Sequence, residues 1–248
     1  MSGEGLRITI RRFPELDSTN TWAVAHCAEL EEGDLIWADR QTAGRGRHDR
    51  SWLAVPAKSL TLSLVLKRPE WIPLGPNLGQ VAALALITLL ERYGIRGQVK
   101  WPNDVMVDDR KIAGILVERT DDNSFVIGLG LNVNVSYEDF RTSGLDRPVT
   151  SLSEVLSKSL EMEPVFADLA GALKHHFDQA REEGLAPLWR LWARHDWLKD
   201  RCVKILDVNG EVEVGDYLGT SPEGGLRLRT LEGYEKVFWS GDVERVTC

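Results

Sequence analysis

Hydrophobic periodicity changes character once along this chain, and that change restricts its fold more than any other feature. Up to Trp197, apolar residues recur at helical and strand spacings in turn; beyond it only short strand-like runs broken by turns remain. The clearest helix is expected over residues 78–93, with Leu78, Val81, Ala82, Ala85, Leu89 and Leu90 at helical spacing and Gly94 as the stop. Others are expected over 20–30, after the cap-rich run Asp17-Ser18-Thr19-Asn20, after the capping box Ser151-Leu152-Ser153-Glu154, over 165–183 before Gly184, and over 187–197. Strands are expected over 35–38, 60–66, 98–101 and 125–135, with a hairpin of 105–107 and 111–118 turning at Asp108-Asp109-Arg110. In the last 50 or so residues the runs 203–208, 211–214, 226–231 and 236–239, with turns at Asn209-Gly210 and Gly224-Gly225, have the spacing of about five short strands in a small β-barrel. The expected organisation is an α+β domain over residues 1–198 followed by a small all-β domain over 199–248.

The net charge of -8 gives no general attraction to polyanions, so any phosphate must be handled by a local cluster, and a nucleic-acid coat protein is disfavoured. Three cysteines, Cys27, Cys202 and Cys248, are widely separated and odd in number, which points away from a disulfide framework or a cysteine zinc site and toward a reducing compartment. The N-terminus lacks the apolar core of a secretory signal, and the longest apolar run, residues 81–90, falls short of the roughly 18 residues of a membrane span. A cytoplasmic protein without a membrane partner is expected. No GxxxxGK[ST], HExxH, CxxC or GxSxG pattern occurs, so neither a metal site nor a hydrolase constellation is expected. His175 and His176, adjacent on one helix, are expected at its surface or boundary.

Three segments carry chemistry. Arg40 to Trp52 concentrates Arg40, Arg45, Arg47 and Arg50 against Asp49, a local excess of +3, with Gly44 and Gly46 between the arginines. Glycines let backbone N–H groups approach a ligand while guanidinium forks grip phosphate or carboxylate oxygens; the plain alternative is a solvated basic loop with Trp52 as a core anchor. Lys100-Trp101-Pro102-Asn103-Asp104 ends a strand, and Lys111 follows on the hairpin between apolar neighbours. That ammonium is either a partly desolvated anion holder or an edge lysine protecting a strand. Gly128-Leu129-Gly130-Leu131-Asn132-Val133-Asn134 fails as a dinucleotide fingerprint, because its sixth position is Val133 and no helix follows. It fits a strand against which a flat ligand can lie, with Asn132 and Asn134 on one face, or a plain buried strand.

In order, the blocks DSTN (17–20), QTAGRGR (41–47), KWPND (100–104), RKIAGILVE (110–118) and GLGLNVN (128–134) resemble biotin protein ligase. The resemblance covers about the first 135 residues and implies a fold related to class II aminoacyl-tRNA synthetases and lipoate ligases, a mixed sheet backed by helices. The tail looks like the family's SH3-like C-terminal domain. It further implies that biotin's carboxylate attacks the α-phosphorus of MgATP, giving biotinyl-5′-AMP, which then acylates a lysine of a biotin carboxyl carrier protein domain. Bringing one anion onto another requires cationic charge, and no nucleophilic side chain is needed.

Matched position by position, the resemblance assigns Ser18, Thr19, Asn20, Gln41, Gly44, Arg45, Gly46, Arg47, Trp52, Lys111, Gly114, Gly128 and Gly130 to biotin. It assigns Arg47, Arg50, Lys100, Asn103, Lys111 and Asn132 to ATP, with Lys111, Arg45 and Arg47 central to catalysis. Magnesium is expected to ride on phosphate oxygens rather than on a protein site. One departure stands out: Asp49 replaces a glycine usual in the family loop, and a carboxylate there opposes an incoming phosphate. Because the Ser18 motif begins after 17 residues, a monofunctional ligase without a DNA-binding head is expected, as monomer or homodimer. The rival readings are a lipoate ligase-like acyltransferase and a non-catalytic phosphate- or nucleic-acid-binding protein with a steep salt dependence.

Overall fold

In the computed structural model, which describes residues 5–48, 50–120, 123–142 and 148–247, a seven-stranded sheet runs in the order β1 (Thr9–Phe13), β2 (Asp34–Ala38), β3 (Ser59–Leu66), β7 (Phe125–Asn132), β6 (Arg110–Arg119), β5 (Asp104–Val107) and β4 (Gln98–Lys100). Only β1 and β2 pair in parallel; the other neighbours are antiparallel, so the sheet is mixed, as expected. The leucines of β3 show why the sheet needs cover on both sides. Leu60, Leu62, Leu64 and Leu66 point into the main apolar core. Val65, pointing the other way, packs in a second cluster with Ala23 and Leu30, beneath α1 (Thr19–Ala25).

The helix α2 (Leu78–Arg92) backs the main core, with its apolar face and much of the rest buried. A 3-10 segment, Pro69–Asn77, leads into it, and the joined stretch of 24 residues is long and apolar enough by composition to cross a membrane. The shorter run 81–90 hid this. Its placement against the sheet and α5 (Met162–Glu183) makes it the core helix of the fold. α5 begins three residues earlier than expected and stops at Gly184, whose φ of +75° favours glycine. The adjacent α6 (Ala186–His195) completes this layer. His176 departs from expectation. It is 3% exposed, its Nε2 lies 2.7 Å from Thr88 Oγ1, and burial lowers its pKa to about 4.

Several short elements follow their local signals. α4 (Leu152–Leu156) starts where Ser151 Oγ accepts the Glu154 N–H at 3.2 Å. The β5–β6 turn places Asp108 and Asp109 at φ of +48° and +59°, a conformation that Asp tolerates. The strand expected over 98–101 proves to be half of a second hairpin, β4–β5, with Lys100 opposite Asp104. β1 and α3 (Tyr137–Thr142) were not anticipated: the Thr9–Phe13 side chains are largely exposed at a sheet edge, and α3 is a short, charged helix.

Beyond Trp197 lies a second sheet, entirely antiparallel, in the order β11 (Glu235–Phe238), β10 (Leu226–Thr230), β9 (Val212–Thr220), β8 (Cys202–Leu206) and β12 (Asp242–Val246). Its five strands match the number expected for the small all-β unit and are consistent with an SH3-like domain; β12 is the strand the sequence pattern missed. Its apolar side chains, among them Val203, Ile205, Leu226 and Val243, join the same core as the large sheet. Polar ties reinforce the junction: Trp101 Nε1 donates to Gly224 O at 2.9 Å, and Tyr217 OH donates to Asp196 Oδ2 at 2.7 Å. Burial pushes the Asp196 carboxyl above the usual range, against the pull of Tyr217 and the Leu198 N–H. The expectation of no disulfide is corrected at one position, since Cys202 is disulfide-bonded, whereas Cys27 is free and buried. Cys248 lies outside the described residues.

Candidate active site

Over β3, β6 and β7, four segments distant in sequence line one open cleft of about 740 Å³. At one end the Ser18 side chain caps α1 by accepting the Thr21 N–H, which fixes Thr19 and Asn20 in the first helical turn. Gln41 Oε1 then accepts from both Thr19 N (2.8 Å) and Thr19 Oγ1 (3.0 Å). Ser63 Oγ donates to Asn20 Oδ1 at 2.6 Å, and Asn20 Nδ2 donates to Glu118 Oε2 at 2.8 Å and Leu116 O at 3.3 Å. This amide and hydroxyl cluster presents oriented donors and acceptors on a rigid sheet floor.

The glycines of that floor have steric reasons. A Cβ on Gly128 would lie 2.3 Å from Asn20 Oδ1, and one on Gly130 would lie 2.2 Å from the Trp52 indole. The flat group resting on β7 in this state is therefore the chain's own Trp52, whose buried Nε1 has no hydrogen-bond partner. Gly114 borders Lys111 Nζ and the same indole. Gly44 does not line the cleft. It closes the base of the arginine loop, accepting the Trp52 N–H at 2.9 Å where a Cβ would meet Trp52 O at 2.5 Å. Gly46 donates to Arg50 O at 2.7 Å, completing a narrow loop; Asp49 lies outside the described residues.

Cations stand along the cleft. Arg45 pairs at 3.0 Å with Glu118, whose other oxygen holds Asn20, while Lys111 pairs with Asp104 at 2.5 Å and Arg50 bidentately with Asp242. Arg47 instead donates to two neutral acceptors, Asn103 Oδ1 at 3.3 Å and Ser240 Oγ at 2.5 Å. Its burial draws the guanidinium pKa down, partly offset by Asp242 and Asp104. β6 is an interior strand, so Lys111 is not an edge guard, and its side chain is only 14% exposed. A bulge between Val105 and Met106 of β5 breaks the register at Ile112 and places Lys111 opposite Met106.

Lys100 does not reach the cleft wall. It is half-buried, with its ammonium 5.0 Å from the Trp197 ring centre, and desolvation lowers its pKa against the pull of Asp104. Asn132 lines a smaller adjoining cavity of about 350 Å³ with Trp52, Leu53, Phe140 and Val149, and donates to Thr150 O at 3.0 Å. Asn134, expected beside it, is structural: its amide is bonded on both sides to the Leu160 backbone. Four polar residues of the cleft lining went unassigned in the sequence reading, Ser51, Thr61, Asp104 and Asp242, as did Glu118, the partner of Arg45. Asp104 sat inside a recognised block; Asp242 is nearly two hundred residues from Arg50, and no local pattern marks it.

Residues 13–134 match the biotin/lipoate A/B protein ligase family. The Paracoccus denitrificans biotin--[acetyl-CoA-carboxylase] ligase is 30% identical over 239 residues, covering 91% of this chain and 98% of that one. The chain belongs to this family. The bifunctional ligase/repressor BirA of Bacillus subtilis is 34% identical over 220 residues, which cover 86% of this chain and 66% of that protein's length. Among solved structures, the Aquifex aeolicus biotin protein ligase in complex with biotin and ATP superposes with a TM-score of 0.80 at 26% identity, covering 96% and 99% of the two chains. The family likeness thus extends through the second sheet, well past the matched motifs.

Proposed function

We propose that this chain is an ATP-dependent biotin ligase, which activates biotin as biotinyl-5′-AMP and transfers it to a lysine of a carboxylase carrier domain. One observation carries this reading: the Ser18, Thr19, Asn20 and Gln41 donors and acceptors share one cleft with Lys111, Arg47 and Arg50, the pairing of polar cluster and cations that a molecule with a ureido ring and a carboxylate would need. Biotin's ureido ring fits the Ser18, Thr19, Asn20 and Gln41 cluster, over the bare backbone of Gly128 and Gly130, if the Trp52 indole shifts from its present seat. Its carboxylate then points to Lys111, with Arg45, Gly46, Arg47 and Gly114 around it.

ATP is proposed to place its phosphates among Arg47, Arg50, Asn103 and Lys111, and its base in the adjoining cavity beside Asn132, where Leu53, Phe140 and Val149 offer apolar walls to a flat ring. A carboxylate oxygen forms a bond to the α-phosphorus as the bond to pyrophosphate breaks. Lys111, Arg45 and Arg47 offset the charge that gathers on the phosphoryl oxygens. The acceptor amine, once it has lost a proton, attacks the acyl carbon and expels AMP. Lys100 acts from behind the wall, adding positive potential near Asp104. Magnesium enters with ATP; among the described residues no cluster of three or more His, Cys, Asp or Glu could hold a metal.

We assign residues 1–198 to the catalytic unit and 199–248 to the SH3-like unit, and place the reaction in the cytoplasm, on a carrier domain and without nucleic acid or membrane, by a monomer or homodimer. The test is direct: incubate the protein with biotin, MgATP and an acetyl-CoA carboxylase carrier domain, then measure the carrier's intact mass. Biotin addition at the acceptor lysine is expected. No addition with several carrier domains, or equal transfer of lipoate, overturns the assignment.

A further inference from the structure

Three of the cleft's cations pair with a carboxylate, Arg45 with Glu118, Lys111 with Asp104 and Arg50 with Asp242, while among the described residues Arg47 hydrogen-bonds the Asn103 amide oxygen and the Ser240 hydroxyl, with Asp242 and Asp104 near enough to act on its charge without bonding it. Two of these partners, Ser240 and Asp242, come from the second sheet and flank one glycine. Gly241, at φ +153°, lies so close to β8 that a Cβ would come within 2.7 Å of Leu206 O. The strand pairing of Asp242 with Leu206 then fixes the turn, and with it the two side chains beside Gly241. A neutral hydroxyl orients a guanidinium without cancelling its charge, whereas a bidentate carboxylate orients and cancels it together.

We propose that the turn Ser240-Gly241-Asp242 is a phosphate-positioning element with two opposed parts: Ser240 holds Arg47 aimed through a neutral hydrogen bond for the first contact with the nucleotide, and Asp242 holds Arg50 in reserve until the phosphates displace it. This rests on the ligase reading given above and adds positioning residues from outside the matched motifs. A triphosphate bearing several negative charges outbids a single carboxylate for Arg50, and Asp242, with its side chain 35% exposed, can turn to water when displaced.

The two parts predict opposite changes. Ser240→Ala removes the bond that aims Arg47 and should weaken binding of a non-cleavable MgATP analogue about tenfold, the scale of a hydrogen bond to a charged group. Asp242→Asn removes the competing charge and should tighten the same binding about three- to tenfold. Calorimetry with biotin present measures both, alongside KM for MgATP and kcat for adenylate formation. For Asp242→Asn the change should fall on KM with kcat nearly constant; Ser240→Ala should raise KM and also lower kcat, because Arg47 offsets charge at the reacting phosphoryl group, and Tm should stay near that of the unaltered protein in both variants. Shifts of the same sign in both variants, or no shift in either, overturns the proposal. If the unaltered protein forms no biotin-dependent adenylate, the ligase reading falls and takes this proposal with it; normal adenylate formation with flat variants removes this proposal alone.

Discussion

Replacing Lys111 by methionine keeps the volume of the side chain and removes its charge, so it isolates the electrostatic role of the cleft's most enclosed amine. The ammonium lies 2.5 Å from Asp104 Oδ1, with the two side chains 14% and 20% exposed. A unit charge about 3 Å from a phosphoryl or carboxylate oxygen, at an effective dielectric of about 20, is worth roughly 5 kcal/mol. Arg47 and the half-buried Lys100 supply part of the same field, so a loss of about 3–4 kcal/mol is expected, two to three powers of ten in kcat/KM. Folding should survive. Asp104 keeps the Lys100 charge nearby, and a partly exposed pair costs about 1–2 kcal/mol when broken, a fall of roughly 3–8 °C in Tm. Biotin-dependent pyrophosphate release at saturating biotin measures the first quantity, and thermal unfolding the second. A variant within threefold of the unaltered rate refutes the assignment of Lys111 to the reacting oxygens; a collapse of Tm makes it a folding residue instead.

Three further outcomes follow from the structure. Gly128→Ala forces a Cβ to 2.3 Å from Asn20 Oδ1, so biotin affinity should fall at least tenfold in calorimetry while the circular dichroism spectrum is kept; unchanged affinity contradicts the placement of the ureido ring. Tyr217→Phe leaves the buried Asp196 without its hydroxyl donor and should lower stability by about 1–3 kcal/mol in urea unfolding, whereas a change below about 0.5 kcal/mol argues against a role for this tie. His176 takes its proton at about pH 4 when folded but near 6.5 when unfolded, so the unfolded state binds more protons between these values and stability falls as pH drops through that window. From pH 6.5 to 5 the unaltered protein should lose up to about 2 kcal/mol more than His176→Gln; parallel curves remove this histidine as the source.

The sequence made some parts of this molecule legible because the physics there is local. The spacing of Leu78, Val81, Ala85 and Leu89 marks α2 whatever surrounds it, and Gly184 and Ser151 mark helix ends by their own conformations and side chains. The cleft was legible residue by residue through Thr19, Gln41, Arg47, Asn103 and Lys111, which the fold gathers along one wall. What stayed hidden depends on pairing across long separations. The edge strand β1 carries exposed arginines held by Asp34 and Asp39, and no apolar alternation announces it. Glu118, Ser240 and Asp242 matter only because the sheets bring them to Arg45, Arg47 and Arg50. The ring that lies against Gly130 of β7 is the chain's own Trp52, where a flat ligand was expected.

The most direct measurement of the central claim is isolation of the activated intermediate. The protein is mixed with biotin and MgATP labelled at the α-phosphate, passed through a desalting column to remove free nucleotide, and then given a carrier domain with no further ATP. Label retained as biotinyl-5′-AMP, followed by release of labelled AMP with one biotin appearing on the acceptor lysine, is the predicted result. No retained label with biotin present, or label retained equally without biotin, contradicts the account.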